Sequence, residues 1–177
     1  SYWYSSSDLS NGATRYHRTY VQFDLSAIPE DAVIESATLY MYGVNHFGSN
    51  NASYFHKVSA DWEENVITWN NAPSFTQASG DPYLDSSYVN GSFSNKLNYE
   101  VDLKDFVSSS LSTDVLNFMM KLESETPNTK LLFYSKDHPT IADTKKPKLE
   151  IIYTAAVVDT VDPDPVVLIE DSVCLSP

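Results

Sequence analysis

The chain has a single cysteine, Cys174, near its C-terminal end. A disulfide framework and a CxxC motif are therefore excluded, and cysteine usage does not identify a compartment. Glycine is scarce, with five residues in 177. Arginine occurs twice, at Arg15 and Arg18, and lysine and arginine together number 11 against 24 acids. A net charge of −13 makes nucleic acid and anionic membranes poor partners, because both attract basic surfaces. No apolar run is long enough to span a bilayer, and no signal peptide is evident. Ser1 opens in mid-pattern, so the natural start is expected upstream. There is also no GxSxG, P-loop or HExxH motif. His17, His46, His56 and His138 are scattered, so no zinc site is assigned.

What the chain has is tyrosine and alternation. Aromatics make up 13% of the residues, and 12 of them are tyrosine. Residues 18–43 read as strand, turn, strand. Thr19, Val21 and Phe23 fall on one face of the first strand, and Tyr20, Gln22 and Asp24 on the other. Pro29 and Glu30-Asp31 mark a surface connection. From Val33 the pattern resumes, with Ala37, Leu39 and Met41 facing one way and Ser36, Thr38, Tyr40 and Tyr42 the other. One face is apolar and suited to a core; the other is rich in tyrosine and suited to a ligand.

The same pattern recurs downstream. Residues 1–4 suggest a short strand, 5–14 a polar loop, and 52–60, 97–102, 115–123, 130–135 and 148–153 further strands. Within 115–123, Leu116, Phe118, Met120 and Leu122 should point inward. Residues 75–96 form a long polar stretch with room for one strand near Leu84–Val89; loops of that length are commonly functional. One helix is expected over Leu103–Leu111, capped by Asp102. About eight strands and one helix predict an all-β, antiparallel, jelly-roll-like β-sandwich over residues 1–154. Residues 155–177 lose the alternation, gain Asp-Pro-Asp-Pro, and read as an acidic linker to a further domain.

Six separated pieces share a family pattern. They are Phe23-Asp-Leu-Ser-Ala-Ile-Pro29, Ile34-Glu-Ser-Ala-Thr-Leu39, Asp61-Trp-Glu-Glu64, Thr68-Trp-Asn-Asn-Ala-Pro73, Val101-Asp-Leu103, and Lys146-Pro-Lys-Leu149 leading into Tyr153. In this order they resemble the DNRLRE-type domain, also seen as the disaggregatase-related repeat. The resemblance spans residues 18–154. It implies a secreted or cell-surface β-sandwich, grouped with carbohydrate-binding modules of which some bind alginate.

The candidate ligand site gathers around the two arginines. Arg15, Tyr16, His17, Arg18, Tyr20 and Gln22 lie together in sequence, and Tyr40 and Tyr42 share the corresponding face of the next long strand. Arginine forms bidentate hydrogen bonds with carboxylates or sulfates, and tyrosine offers an apolar ring with a polar tip. That combination suits an acidic sugar. A neutral glycan would instead stack on Tyr83, Tyr88 or Trp3. Trp62 and Trp69 read as core and corner residues. Asp61, Glu63 and Glu64 are neighbouring carboxylates on a turn, which does not make a glycosidase cleft.

The expected function is thus non-catalytic binding of a polysaccharide, acidic and of the algal, alginate-like kind, that targets a covalently linked enzyme or surface domain. Two alternatives stand beside it. A polysaccharide lyase would use Tyr16, His17, Arg18 and Gln22 as acid, base and carboxylate neutraliser. A structural spacer would bind nothing. No cofactor is expected, with Asp8, Asp81 and Asp85 the candidates for a structural calcium.

Overall fold

Alternation becomes strand wherever the sequence carries it, and some strands form where it does not. The computed structural model describes residues 2–10, 12–47, 52–58, 60–84, 99–125, 129–155 and 170–175. Three antiparallel sheets surround one core. The first has the order β2 (Ala13–His17), β1 (Tyr2–Ser10), β11 (Thr129–Tyr134), β5 (Gly43–Phe47). The second has the order β3 (Thr19–Asp24), β10 (Val115–Leu122), β6 (Ser53–Val58), β7 (Phe75–Thr76), with β8 (Tyr83–Leu84) also pairing with β6. The third has the order β13 (Glu170–Leu175), β12 (Lys148–Thr154), β4 (Val33–Met41), β9 (Tyr99–Asp102). The architecture is the all-β sandwich that the alternation predicts.

The core takes one side chain in two from each sheet. Val21, Phe23, Phe55, Leu116 and Phe118 come from the second sheet, Ala37, Leu39, Val101, Leu149 and Ile151 from the third, and Trp3, Leu131 and Phe133 from the first. Trp3 is therefore a core residue and not a loop platform. Phe118 is fully buried between Phe23 (ring centroids 6.2 Å apart) and Phe55 (5.7 Å). The inward set expected on β10 is buried, but so is Met119, on the opposite side of the same strand. The outer face of the second sheet is therefore also covered.

Three local expectations are corrected. Residues 5–14 are not a loop: β1 runs to Ser10 and turns through Gly12, at φ 79°, into β2. Polarity hid this strand, because Ser5, Ser6 and Ser7 are buried serines, and Ser5 satisfies its hydroxyl with Ser53 Oγ at 2.7 Å. The helix is shorter than expected, α1 (Lys104–Ser108), followed by a 3-10 turn at Leu111–Thr113. Its N-cap is Leu103, which has no side-chain cap, and not Asp102; Asp102, one residue earlier, accepts from Lys104 N–H through Oδ1 at 2.9 Å. The hydroxyls of Ser108 and Ser110 bond back to the Lys104 and Phe106 carbonyls, 2.8 and 2.7 Å away, competing with continuation of the helix. Finally, Glu170–Leu175, within the stretch read as linker, runs antiparallel to β12 as an edge strand. The Asp-Pro-Asp-Pro segment and the expected strand around residue 88 lie outside the described residues.

Phe118→Ala removes the central ring of the core. It is expected to lower the unfolding free energy by about 3–5 kcal/mol, read as a shift in the urea midpoint at unchanged slope.

Candidate functional site

The chain changes sheets at Arg18. His17 ends β2 in the first sheet and Thr19 begins β3 in the second. Thr19 makes the joint: its Oγ1 accepts from Tyr4 N–H at 2.7 Å and donates to Tyr4 carbonyl O at 2.9 Å. Tyr16 and Tyr20 therefore stand on different sheets, on either side of a corner, and not on one strand face. Arg18 lies in the corner itself.

The other wall is the connection from β6 to β7, which folds back over the outer face of β3. Trp62 meets Tyr20 edge-on, with centroids 5.9 Å apart. Its continuation is a turn knitted by Asn71. The Asn71 Oδ1 accepts from Thr68 N–H at 2.5 Å and from Thr68 Oγ1 at 2.7 Å, and its Nδ2 donates to Val66 carbonyl O at 3.0 Å. This clasp gives the Thr68-Trp-Asn-Asn motif its physical role, because it holds Trp69 at the tip. Trp69 is 61% exposed and Tyr16 is 42% exposed. Their rings are inclined by only 21°, with centroids 6.5 Å apart. The expectation that Trp69 is a core or corner residue is corrected; Trp62 is half-buried.

Together these residues enclose a groove of about 360 Å³, walled by Tyr4, Tyr16, His17, Arg18, Trp62 and Trp69 among others. Arg18 is its structural centre. The Nε and Nη2 atoms donate to the two Glu125 carboxylate oxygens, each at 2.8 Å. The guanidinium carbon sits 4.8 Å from the Trp69 ring centroid, a cation–π contact. The Glu125 hydrogen bond holds the Arg18 pKa above its usual value. Burial pushes Glu125 upward, but the hydrogen bonds and charge of Arg18 more than offset this and leave it below the usual carboxylate range. Burial pushes the Tyr20 phenol upward, against the pull of Arg18. The arginine charge is thus compensated, and Glu64 adds a carboxylate to the wall.

The remaining candidates are dispersed. Gln22 lines an adjoining hollow on the far side of Trp62. The Tyr, His, Arg and Gln that a lyase would use are consequently not gathered in one groove. Arg15 is exposed on β2 and is not part of the wall. Tyr40 lies on β4 of the third sheet, which pairs with β12 and β9 and not with β3, and Tyr42 lies just past the end of β4, its carbonyl accepting from Tyr134 N–H of β11 at 3.1 Å. They line a separate hollow with Lys146, Lys148, Glu100 and Asp143. There Lys148 Nζ lies 4.6 Å from the Tyr40 ring centroid, and Lys145 Nζ lies 4.7 Å from that of Tyr42. Tyr83 is exposed but stacks on Tyr54 (5.2 Å), and Tyr88 is outside the described residues.

For calcium, Asp81 is engaged by protein groups. Its Oδ2 lies 2.7 Å from His56 Nδ1 and accepts from Ala78 N–H at 2.9 Å. Asp85 lies outside the described residues, and the side chain of Asp8 is not described. Among the described residues no cluster of three or more His, Cys, Asp or Glu is arranged to hold a metal ion.

An exposed, nearly parallel aromatic pair in a groove on a β-sandwich is an arrangement suited to sugar rings, and the sequence comparison agrees with it. Residues 4–153 match carbohydrate-binding module family 96. The chain belongs to that family. The match runs from β1 to β12 and so covers every wall of the groove. It carries the description of a carbohydrate-binding module and not the narrower DNRLRE-type name. No curated protein matches the chain. Among the described residues no helix is long and apolar enough to cross a membrane.

Of the sequence candidates, Tyr16, His17, Arg18 and Tyr20 line this groove; Glu125 and the exposure of Trp69 were not among the expectations. Neither carried a local signal: Glu125 is 107 residues from its partner. In the family-96 groove Arg18 is a structural residue as well as a candidate ligand contact. Arg18→Ala should lower stability by about 1–3 kcal/mol, the worth of hydrogen bonds to a charged group left unpaired, or roughly 2–4 °C in melting temperature per kcal/mol for a chain of this size. Because the Glu125 pKa is depressed in the folded state, the pair's contribution is complete above the ordinary glutamate range. It is lost as pH falls through the lowered value of Glu125. Glu125→Gln should remove that acid-sensitive part, measured by melting curves across the acid range.

Proposed function

We propose that this family-96 domain binds a polysaccharide by stacking a sugar ring on Tyr16 and Trp69, and that it acts as a non-catalytic, secreted targeting module for an attached domain. The carrying observation is the exposed, near-parallel ring pair in the groove. With the guanidinium of Arg18 against one face of the indole, the remaining exposure of Trp69 is open to a ligand. Aromatic rings offer apolar area at a low entropic cost, and hydroxyls around the sugar find donors in the Arg18 N–H groups that Glu125 leaves free. Affinity of a single site of this kind is modest and is multiplied when several modules share one chain of substrate.

The charge balance favours an uncharged sugar in this groove. A uronate or sulfate would have to compete with Glu125 for Arg18 and would meet Glu64. An acidic, alginate-like chain, which the DNRLRE-type motifs suggest, is the second reading. The observation that favours it is the cluster of Lys145, Lys146 and Lys148 beside Tyr40 and Tyr42, three of the 11 basic residues within four positions.

Affinity electrophoresis through gels containing neutral or acidic polysaccharides separates the readings. Trp69→Ala should abolish retention, a loss of about tenfold or more in affinity, with an unchanged melting curve, and retention by the parent domain should be insensitive to salt. Retention that weakens with salt, survives Trp69→Ala and disappears in Lys145→Ala/Lys148→Ala would move the site to the lysine cluster.

A further inference from the structure

The groove at Tyr16 and Trp69 does not end at Trp62. A second hollow of about 300 Å³ adjoins it, and the two share Thr19, Tyr20, Trp62 and Glu64. Each by itself is at the small end of the range for ligand sites, and together they reach its middle. The second hollow differs in chemistry. It has no exposed aromatic pair; its own contributions are Gln22, Ser135, Lys136 and Asp137, over the buried edge of Trp3.

Two polar groups at this hollow are unpaired. Ser135 is 3% exposed, and its Oγ is a buried hydroxyl with no hydrogen-bond partner among the described residues. The indole Nε1 of Trp62 is in the same state. Buried donors are nearly always satisfied, and an unsatisfied one costs about 1–3 kcal/mol. Both residues line the one hollow, next to a stacking groove; their two polar atoms are closed off from solvent in this structure, so a partner from outside reaches them only as the hollow opens. The tie across this hollow is the ion pair of Lys136 with Glu64, at 3.1 Å, in which Lys136 is half-buried and Glu64 exposed. Such a pair is worth little and yields readily to a ligand.

We propose that the two hollows are one carbohydrate groove with Trp62 as its saddle, and that its ligand is a run of at least two linked sugars, not a single terminal one. One sugar stacks at Tyr16 and Trp69. The next crosses Trp62 and places its hydroxyls against Ser135, Gln22 and the Trp62 N–H. This rests on the carbohydrate-binding reading above and names the length and the hydroxyl-rich character of what is bound.

The test uses the ¹⁵N-labelled domain, in which the indole N–H signals of the three tryptophans report separately. The probes are β-1,4-linked gluco-oligosaccharides and mannuronate oligosaccharides, each from one to five sugars. Monosaccharides should shift the Trp69 signal alone. Longer chains should shift Trp62 as well, with affinity rising roughly tenfold or more between one sugar and three. Ser135→Ala and Gln22→Ala should reduce affinity for the longer chains several-fold and leave monosaccharide binding unchanged; neither should lower the melting temperature, and Ser135→Ala, which removes an unpaired buried hydroxyl, should raise it. Chains that shift Trp69 but never Trp62, with affinity independent of length, would overturn the two-part groove and leave the stacking site standing. No shift of either signal with any probe would overturn the carbohydrate site at this groove and the extension with it.

Discussion

The buried contact between Asp81 and His56 pins the long connection after β6 back onto the edge of the second sheet. Both residues are buried, and Asp81 Oδ2 meets His56 Nδ1 and the Ala78 N–H together. The pair lies between β7 and β8, the two short strands by which the long connection rejoins the edge of β6. Phe55 N–H donates to the Pro82 carbonyl at 2.9 Å, closing the same joint. With that end fixed, residues 60–74 have to return across the outer face of the second sheet. Met119 and His56 are buried beneath the fold-back, and Phe75 stacks on the His56 ring at 5.1 Å. Buried polar groups demand this degree of hydrogen-bond satisfaction, because one left unpaired in such a place is destabilising.

The groove is a by-product of two chain reversals meeting. One is the passage from β2 to β3 at Arg18, which splits a tyrosine-rich stretch between two sheets. The other is the fold-back that presents Trp69 on the Asn71-clasped turn. Arg18 joins them, held by Glu125 from the segment after β10 and lying against the Trp69 indole. The guanidinium acts here as a planar spacer that is charged, hydrogen-bonded and stacked at once, a combination lysine does not offer. Its charge is neutralised within the fold, so the groove presents rings and hydrogen-bond donors more than net charge.

The alternation of apolar residues in β3, β4, β10, β11 and β12 was enough to establish an all-β sandwich and most of its core, since a period of two leaves one face to bury. It failed for β1, where three buried residues are serines, Ser5 bonded to Ser53 on β6 and Ser7 to the Glu125 carbonyl, and for the helix, where serine hydroxyls compete for the carbonyls. The tyrosine and arginine cluster was also legible, because Arg15 and Arg18 are the only two arginines and stand beside Tyr16 and Tyr20.

Which members of that cluster share a site was decided by the tertiary structure alone. Sequence period assigns faces within one strand, but it does not show that the strand breaks at Arg18 or that β4 pairs with β12 and β9 instead of β3. Tyr40 and Tyr42 were thereby separated from Arg18, and Gln22 was moved across Trp62. Nor does local sequence report a partner 107 residues away, so the arginine that read as a free ligand contact is a structural clamp. The residues determined by themselves that the chain is a β-sandwich with an aromatic surface. Long-range packing, through the Asp81–His56 joint and the Arg18–Glu125 pair, decided where that surface opens.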